Sequence, residues 1–402
     1  MTIFEETNYK SSPLRPAIPR GMRDILPVEA AERRFIEERL SDAFSGWGYG
    51  EVISPAFEFY KLLSTEAGEG IKREMFRFFD RDGRQLALRP EMTTPIARLA
   101  AQRLDRAAAP HRLYYMANVF REEPAQRGQQ REFRQAGIEL IGAGSEIADA
   151  EVVAIMIEAL QGAGLDDFQV GIGQISFFKA IINTLDIDQS GRQSLINAAS
   201  RRDLVGLGHL LNNTAIDSAA KNTIQEVLSL RGGIEVIDKA AALCPDAAVE
   251  SGLNGLSRTF TSLQSLGMDE RIIIDLGIIR GFDYYTGMIF EAYAPKLGFP
   301  LGGGGRYDNL LSDFGYPAAA AGFALEVERL HVALLEQSSA RLLEPTAARY
   351  LVYSHRPGRA LVAAAKLRAD GKIAEVVLDP ADAGEAGRVA NLKGIDEIIC
   401  AD

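Results

Sequence analysis

The residues best suited to chemistry lie in one short run of the chain, residues 278–287. Arg280 supplies a cation and Asp283 a carboxylate, and the phenols of Tyr284 and Tyr285 follow directly. A strand that served only an aromatic core would gain nothing from these groups, because each needs a partner when buried. The adjoining glycines also allow the backbone to approach a bound molecule closely. The run therefore predicts a recognition site for a small polar ligand.

A second cluster of charges lies between two predicted strands, in residues 120–135. It contains four arginines within 14 residues, at positions 121, 127, 131 and 134. Arginines at the end of a strand can grip a carboxylate or a phosphate through paired hydrogen bonds. A solvated hairpin tip of mixed charge would explain the same residues in isolation. The position of the cluster between residues 89–93 and the run at 278–287 favours a binding site.

The elements that must position these residues follow an α+β pattern. Helices are predicted at 28–47 and 147–160, the first with apolar residues at helical spacing and ended by glycines. Strands are predicted at 52–55, 75–80, 84–89, 113–120, 133–142, 168–173 and 288–293. Asp82-Gly83 predicts a two-residue hairpin turn, and residues 89–95 are predicted to lie at the start of a helix. Hairpins with interspersed helices favour an α+β sheet over a doubly wound one.

Changes in composition along the chain suggest its domain boundaries. Residues 186–266 are polar and helix-forming, which predicts an inserted helical subdomain, and strand-like patterning resumes at 271. After a linker near 337–345, strands and helices alternate up to residue 400, as in a small parallel α/β unit. We therefore predict a core of residues 1–335 that contains the insertion, and a C-terminal unit of residues 346–402.

Composition restricts the class of protein. The chain has 402 residues, of which 47% are hydrophobic and 25% charged, with a formal net charge of −11. That balance is typical of a globular protein, and its acidity argues against a large nucleic-acid footprint. The two cysteines and four histidines show no metal-ligand spacing, so neither a metal nor a cofactor is expected. We expect a cytoplasmic protein with no secretory signal and no membrane span.

The run at 280–287 resembles the histidine-recognition signature of histidyl-tRNA synthetases. The order and spacing of the other segments resemble the catalytic core of that family from Pro19 to Leu335. The resemblance implies a class II aminoacyl-tRNA synthetase-like fold, an antiparallel sheet flanked by helices. Residues 28–55, a helix followed by a strand with a proline, resemble the segment that forms the homodimer interface of that class.

The same resemblance implies a histidine pocket. Glu91 and Thr93 would hold the amino group, whereas Arg121 and Arg280 would face the carboxylate. Four residues apart on one strand, Gln135 and Glu139 share a face and would both line the pocket. The implied histidine-binding residues are Glu91, Thr93, Arg121, Gln135, Glu139, Arg280, Tyr284, Tyr285 and Tyr307.

Three departures from the family pattern weaken the expected ATP site and tRNA site. Gln129-Gln130 replaces an Arg-Tyr pair, and Pro124-Ala125 replaces an Arg-Pro pair. Glu326 stands where the family has a small residue, so a carboxylate is added where a nucleotide would pack. The C-terminal unit resembles only the first part of an anticodon-binding domain and lacks a basic or aromatic surface for bases.

An amino-acid pocket beside a weakened nucleotide site resembles the regulatory-subunit family of ATP phosphoribosyltransferase, which is derived from synthetases. The resemblance implies a non-catalytic protein without bound tRNA, which supports a short-form catalytic subunit in the first step of histidine biosynthesis. L-histidine would be its effector, and a homodimer within a hetero-oligomer its assembly. The retained Arg121, Arg280 and Arg329 keep an active histidyl-tRNA synthetase as the alternative. A free-standing histidine-binding protein is a third possibility.

Overall fold

The computed structural model describes residues 17–64, 69–122, 130–183, 185–200, 204–213, 218–244, 247–279, 284–338, 349–395 and 397–402. The chain divides into two units, Met1–Ser339 and Ala340–Asp402. Within the described ranges, no helix is long and apolar enough to cross a membrane.

A large mixed sheet forms the centre of the first unit. The strands of this unit are, in chain order, β1 (Gly50–Glu51), β2 (Phe57–Phe59), β3 (Arg77–Phe79), β4 (Gln85–Leu88), β5 (His111–Phe120), β6 (Glu132–Ile141), β7 (Gln169–Gln174), β8 (Arg231–Gly232), β9 (Ile272–Asp275), β10 (Met288–Tyr293), β11 (Gly302–Arg306) and β12 (Ala320–Glu326). The large sheet has the order β1-β5-β6-β12-β11-β10-β7-β9-β8, and β2-β4-β3 forms a small one. Neighbouring strands of the large sheet are antiparallel except for the pairs β1–β5 and β7–β9. The α+β organisation is confirmed, although the sheet is not antiparallel throughout.

The first unit also contains twelve described α-helices. They are α1 (Pro27–Gly46), α2 (Tyr60–Ser64), α3 (Glu69–Glu74), α4 (Thr93–Arg103), α5 (Glu146–Gly162), α6 (Ile175–Asn183), α7 (Gln189–Ser200), α8 (Leu204–Asn213), α9 (Ser218–Ser229), α10 (Glu235–Leu243), α11 (Ala247–Ser265) and α12 (Val327–Ser338). As its spacing predicts, α1 buries Ile36, Leu40 and Phe44 on one face. The next turn is closed by Gly48, whose φ of +79° suits a residue without a side chain.

Two local predictions in the first unit are wrong. Residues 52–55 do not continue β1, because only Val52 donates a ladder-like hydrogen bond, to the carbonyl of Tyr114. The carbonyls of Ser54 and Pro55 instead accept hydrogen bonds from the buried guanidinium of Arg89, at 2.8 and 3.1 Å. A side chain from another element thus satisfies backbone groups that a strand would have paired.

The predicted hairpin is present as β3 and β4, but its turn is longer than two residues. The backbone N–H of Asp80 donates to the carbonyl of Arg84, so residues 81–83 form the loop. Gly83 holds the left-handed position with φ +78°, and the Asp80 carboxylate accepts from the N–H groups of Asp82 and Arg84. The aspartate at the start of the loop sets its length.

The helical insertion predicted at 186–266 consists of α7 to α11. It also contributes β8, an edge strand that pairs antiparallel with β9. Two residues are too few to produce a strand pattern, so this link between the insertion and the sheet was not predicted.

The second unit is the predicted parallel α/β unit. It comprises β13 (Arg349–Tyr353), α13 (Pro357–Ala369), β14 (Ile373–Val376), α14 (Ala383–Lys393) and β15 (Glu397–Cys400), with strand order β14-β13-β15. Tyr350 and Val352 pack on the side of α13, whereas Leu351 packs on the side of α14. Alternation along the central strand therefore serves two helices on opposite faces.

Candidate functional site

A polar cleft opens over the middle of the large sheet. Its open space is about 600 Å³, the solvent-facing mouth included. Seven of the nine predicted site residues line it: Glu91, Thr93, Arg121, Gln135, Tyr284, Tyr285 and Tyr307. Glu139 lies directly behind two of these, whereas Arg280 lies outside the described residues. Segments separated by more than 200 residues in the chain thus meet at one place.

Glu91 lies at the N-terminus of α4, where free backbone N–H groups point outward. Its carboxylate accepts hydrogen bonds from the N–H groups of Thr93, at 2.5 Å, and Thr94, at 3.1 Å. The helix end favours negative charge there. Burial raises the pKa of Glu91, and the hydrogen bonds from Thr94 and Thr93 oppose that rise. The helix N-terminus therefore fixes the direction of this carboxylate at the cleft wall.

Glu139 is the most deeply buried carboxyl of the site, with 1% of its surface exposed. Thr93 Oγ1 donates to Glu139 Oε1 at 2.8 Å, and the Tyr307 hydroxyl donates to Oε2. Burial raises the pKa of Glu139 to about 8 despite these two hydrogen bonds, and the charge of Glu91 adds to the rise. A Cβ at Gly322 would collide with Oε2, so glycine is required opposite this group.

Gln135 presents a buried acceptor in the cleft. Only 5% of the residue is exposed, and its Oε1 has no hydrogen-bond partner within the described parts of the chain. An unsatisfied buried carbonyl costs free energy, so such atoms are uncommon in native structures. A ligand with an N–H donor would remove that cost.

Three tyrosines in tilted and edge-to-face ring contact form one wall of the cleft. The ring centroids of Tyr284 and Tyr285 are 4.8 Å apart, and those of Tyr284 and Tyr307 are 5.7 Å apart. Burial raises the pKa of Tyr284 and Tyr307 well above the usual range, so both phenols remain neutral. Neutral phenols can donate or accept, which suits the nitrogens of an imidazole ring.

Tyr115 also lines the cleft and was missed in the sequence. It lies on β5, directly opposite Gly137 of β6. A Cβ at Gly137 would collide with the phenol of Tyr115. A glycine inside the predicted strand at 133–142 was therefore a usable signal, because it marks a place where a bulky group crosses the backbone.

Arg121 is held at the cleft by two contacts away from the ligand space. Its Nε donates to the carbonyl of Pro90 at 2.9 Å, and its guanidinium lies 5.2 Å from the ring centroid of Phe133. Its charge also opposes the rise that burial causes in the pKa of Glu91. A positioned guanidinium is suited to a carboxylate.

A second set of groups in the cleft has a different character. It comprises Pro300, Gly302 and Gly303, together with Glu326 at the end of β12, the cross-strand neighbour of Gln135, and Arg329 in α12. Glu326 Oε2 lies 2.5 Å from Arg329 Nε, and Arg329 Nη1 donates to the Pro300 carbonyl at 2.9 Å. Glu326, the substitution expected to disturb nucleotide binding, is therefore paired with the guanidinium of Arg329. Pro124, Ala125 and Gln129 lie outside the described residues.

Metal ligation has no candidate cluster in the ranges that the structure describes, since no three His, Cys, Asp or Glu side chains come together there in a suitable way. Among the histidines, His331 bonds Glu32 at 2.9 Å and links α12 to α1 in the core.

Comparisons with known proteins identify relatives of this chain. The family model "Histidyl-tRNA synthetase" matches residues 21–330. A protein of Moorella thermoacetica named "ATP phosphoribosyltransferase regulatory subunit" is 42% identical over 94% of this chain and 98% of its own length. One of Desulfitobacterium hafniense strain Y51 with the same name is 37% identical over 96% and 97%.

Solved structures are similar over the same extent. A crystal structure titled as an ATP phosphoribosyltransferase regulatory subunit/histidyl-tRNA synthetase from Bacillus halodurans C has a TM-score of 0.84 and 32% identity, covering 97% of this chain and 99% of that one. Histidyl-tRNA synthetase from Nostoc sp. PCC 7120 shares the fold, with a TM-score of 0.77 at 24% identity over 94% and 90%.

The fold and the cleft thus define a class II synthetase-like protein of the histidyl-tRNA synthetase family. Within it, the chain belongs to the family of ATP phosphoribosyltransferase regulatory subunits.

Proposed function

We propose that this chain is a non-catalytic cytoplasmic subunit that binds L-histidine and controls a short-form ATP phosphoribosyltransferase subunit, in which catalysis takes place. The observation that carries the proposal is the contrast between two sets of groups in one cleft. One set comprises the buried acceptors and phenols of an amino-acid pocket, and in the other Glu326 is paired with Arg329.

Histidine suits the chemistry of the amino-acid pocket. Glu91 and Thr93 answer its ammonium group, and Arg121 answers its carboxylate, as does Arg280 by family resemblance. The remaining groups surround the imidazole, and they are Gln135, Glu139, Tyr284, Tyr285 and Tyr307. Because such a pocket recognises its ligand through hydrogen bonds, it rejects amino acids that lack matching groups much better than an apolar pocket does.

A non-catalytic role is supported by the pairing of Glu326 with Arg329 in the cleft. Synthetases must bind ATP there, and an arginine that is already neutralised attracts a phosphate poorly. A second negative charge within about 4 Å costs roughly 4 kcal/mol at an effective dielectric near 20 before screening by salt. Glu326 therefore opposes any nucleotide that approaches Arg329.

Control of the partner subunit would follow from thermodynamic linkage between histidine binding and the arrangement of the hetero-oligomer. If histidine favours one arrangement of the hetero-oligomer, the coupling is reciprocal between histidine and the substrates of the catalytic subunit, typically about 1–3 kcal/mol. Homodimer formation within that assembly is supported by Ile53, which is 85% exposed in the segment that resembles the class II interface.

Two titrations on the purified chain test the proposal. Isothermal titration with L-histidine should give saturable binding, and addition of L-alanine at the same concentrations should give none. Histidine-dependent exchange of pyrophosphate into ATP should remain at the level of a blank. Absence of histidine binding, both to the chain alone and to its complex with a short catalytic subunit, would remove the sensing role.

A second function, histidyl-tRNA synthetase activity, is favoured by one observation. Arg121 is retained and held at the cleft by Pro90 and Phe133, where it could stabilise an acyl-adenylate. Clear pyrophosphate exchange that depends on histidine would make this the primary function.

A further inference from the structure

Two described stretches, residues 276–279 and 284–287, belong to the connection between β9 and β10 that carries Tyr284 and Tyr285, and the first of them is attached to the helical insertion. β9 pairs with β8 of the insertion, and the N–H of Leu276 donates to the carbonyl of Leu230 at 3.1 Å. Just beyond, a Cβ at Gly277 would collide with the carbonyl oxygen of Leu228. The backbone of the insertion and the backbone of this first stretch are therefore in direct contact.

Asp275 strengthens the same junction. Its carboxylate accepts from the N–H of Gly277 at 3.0 Å and lies 3.8 Å from Arg231 Nε of β8. Ile278 and Ile279 follow and are almost fully buried. This first stretch has little room to move independently of the insertion.

The second stretch is attached to α6, the helix that leads from β7 into the insertion. Lys179 Nζ donates to the carbonyl of Tyr285 at 2.9 Å, and the N–H of Ile175 donates to the carbonyl of Gly287 at 3.1 Å. Phe177 and Phe178 of α6 are fully buried, so the helix is firmly packed. The ammonium group of Lys179 is thus held in place by the helix, and it positions the backbone of Tyr285.

We propose that Lys179 is a positioning residue of the amino-acid cleft, and that through it the helical insertion responds to occupancy of the cleft. A charged donor makes a stronger hydrogen bond than a neutral one, and here it acts on the backbone of a residue whose ring contacts the ligand space. Contacts at Gly277 and Lys179 attach the two described stretches of this connection to the insertion and to the helix that leads into it. A ligand that moves the tyrosines therefore also displaces the insertion. Only the identity of the ligand rests on the proposed function.

Amide hydrogen exchange in the free protein tests the positioning role without any ligand. We expect the peptide covering residues 284–288 to exchange at least threefold faster in Lys179→Met than in the wild type. Lys179→Arg keeps a cation and should restore most of the protection. The matched control is Lys239→Met, which removes an exposed lysine of α10 and should change nothing at this peptide. Equal exchange in the wild type and Lys179→Met would overturn the proposal.

Histidine titration of the same variants adds a readout that a merely structural role would not move. Lys179→Met should weaken histidine binding about fivefold or more, without a matching loss in Tm, and Lys179→Arg should recover affinity. Histidine should slow exchange in α9 and α10 of the wild type but not of Lys179→Met. Binding that stays normal in Lys179→Met contradicts the inference, whereas a wild type that binds no histidine contradicts the proposed function and leaves the exchange test in the free protein decisive.

Discussion

Glu326 Oε2 and Arg329 Nε lie 2.5 Å apart, one helical turn from each other across the junction of β12 and α12. Glu326 is the cross-strand neighbour of Gln135 in the ladder between β6 and β12. Arg329 also lies 5.1 Å from the ring centroid of Phe299. One carboxylate therefore does two things: it neutralises the cation and fills the space in front of it.

Removing the carboxylate of Glu326 should open the space beside Arg329 to nucleotides. Glu326→Gln removes the charge, and Glu326→Gly removes both the charge and the bulk. We expect ATP binding to strengthen on the order of tenfold, which corresponds to about 1.4 kcal/mol. Titration of ATP against each variant measures the change, with Glu336→Gln on the exposed part of α12 as the control. Unchanged ATP affinity in both variants would mean that Glu326 does not decide nucleotide exclusion.

Gln135→Met should separate ligand binding from stability. The substitution removes a buried acceptor that has no partner among the described residues, so the free energy of unfolding should stay the same or rise by about 1 kcal/mol. Histidine affinity should fall at least tenfold, because an N–H of the ligand loses its acceptor. Thermal unfolding and calorimetric titration give the two values. A variant that is less stable yet binds histidine normally would show that Gln135 serves the fold alone.

Glu139 should make the stability of the empty protein depend on pH. Its folded-state pKa of about 8 lies above the ordinary value of 4.5, so the folded protein retains a proton that the unfolded chain has lost. The contribution to stability is complete below about pH 4.5 and is lost as the pH rises through about 8. Glu139→Gln cannot lose this proton. The stability difference between variant and wild type should therefore shift in favour of the variant between pH 5 and 8, as measured by thermal unfolding. A constant difference across that range would show that Glu139 ionises normally.

Gly322→Ala should disturb the site through packing. A Cβ at this position collides with Glu139 Oε2 and with the carbonyl of Ile138. We expect a loss of about 1–3 kcal/mol in the free energy of unfolding together with loss of histidine binding. Gly298→Ala, where nothing lies within 4 Å of the added carbon, is the control and should be near neutral. Retained affinity in Gly322→Ala would show that Glu139 can shift without harm to the cleft.

Much of the architecture around the site follows from local patterns. Strand β10 has the bounds predicted for it, and α4 begins within the segment 89–95, where a helix start was predicted. These elements carry strong periodicity or a sharp terminator, so neighbouring residues suffice to define them. The gathering of residues 91–93, 121, 135–139 and 284–307 was predicted only through family resemblance, because no local pattern shows which strands become neighbours.

The remaining features depend on contacts between distant parts of the chain. Arg89 takes over the carbonyls of Ser54 and Pro55, and no local signal announces a side chain from 35 residues away. Strand β8 is too short to give a strand pattern in the sequence, yet it joins the insertion to the sheet. Tyr115 was missed since its role is visible only opposite Gly137. The carboxylate-binding role of Arg280 stays a prediction.

Reconstitution with a short-form catalytic subunit tests the central claim most directly. ATP phosphoribosyltransferase activity should require this chain, should fall on addition of L-histidine, and should need at least tenfold more histidine for the same inhibition when the chain carries Gln135→Met. Activity that is the same with and without the chain, or inhibition by histidine that Gln135→Met leaves unchanged, would contradict the account.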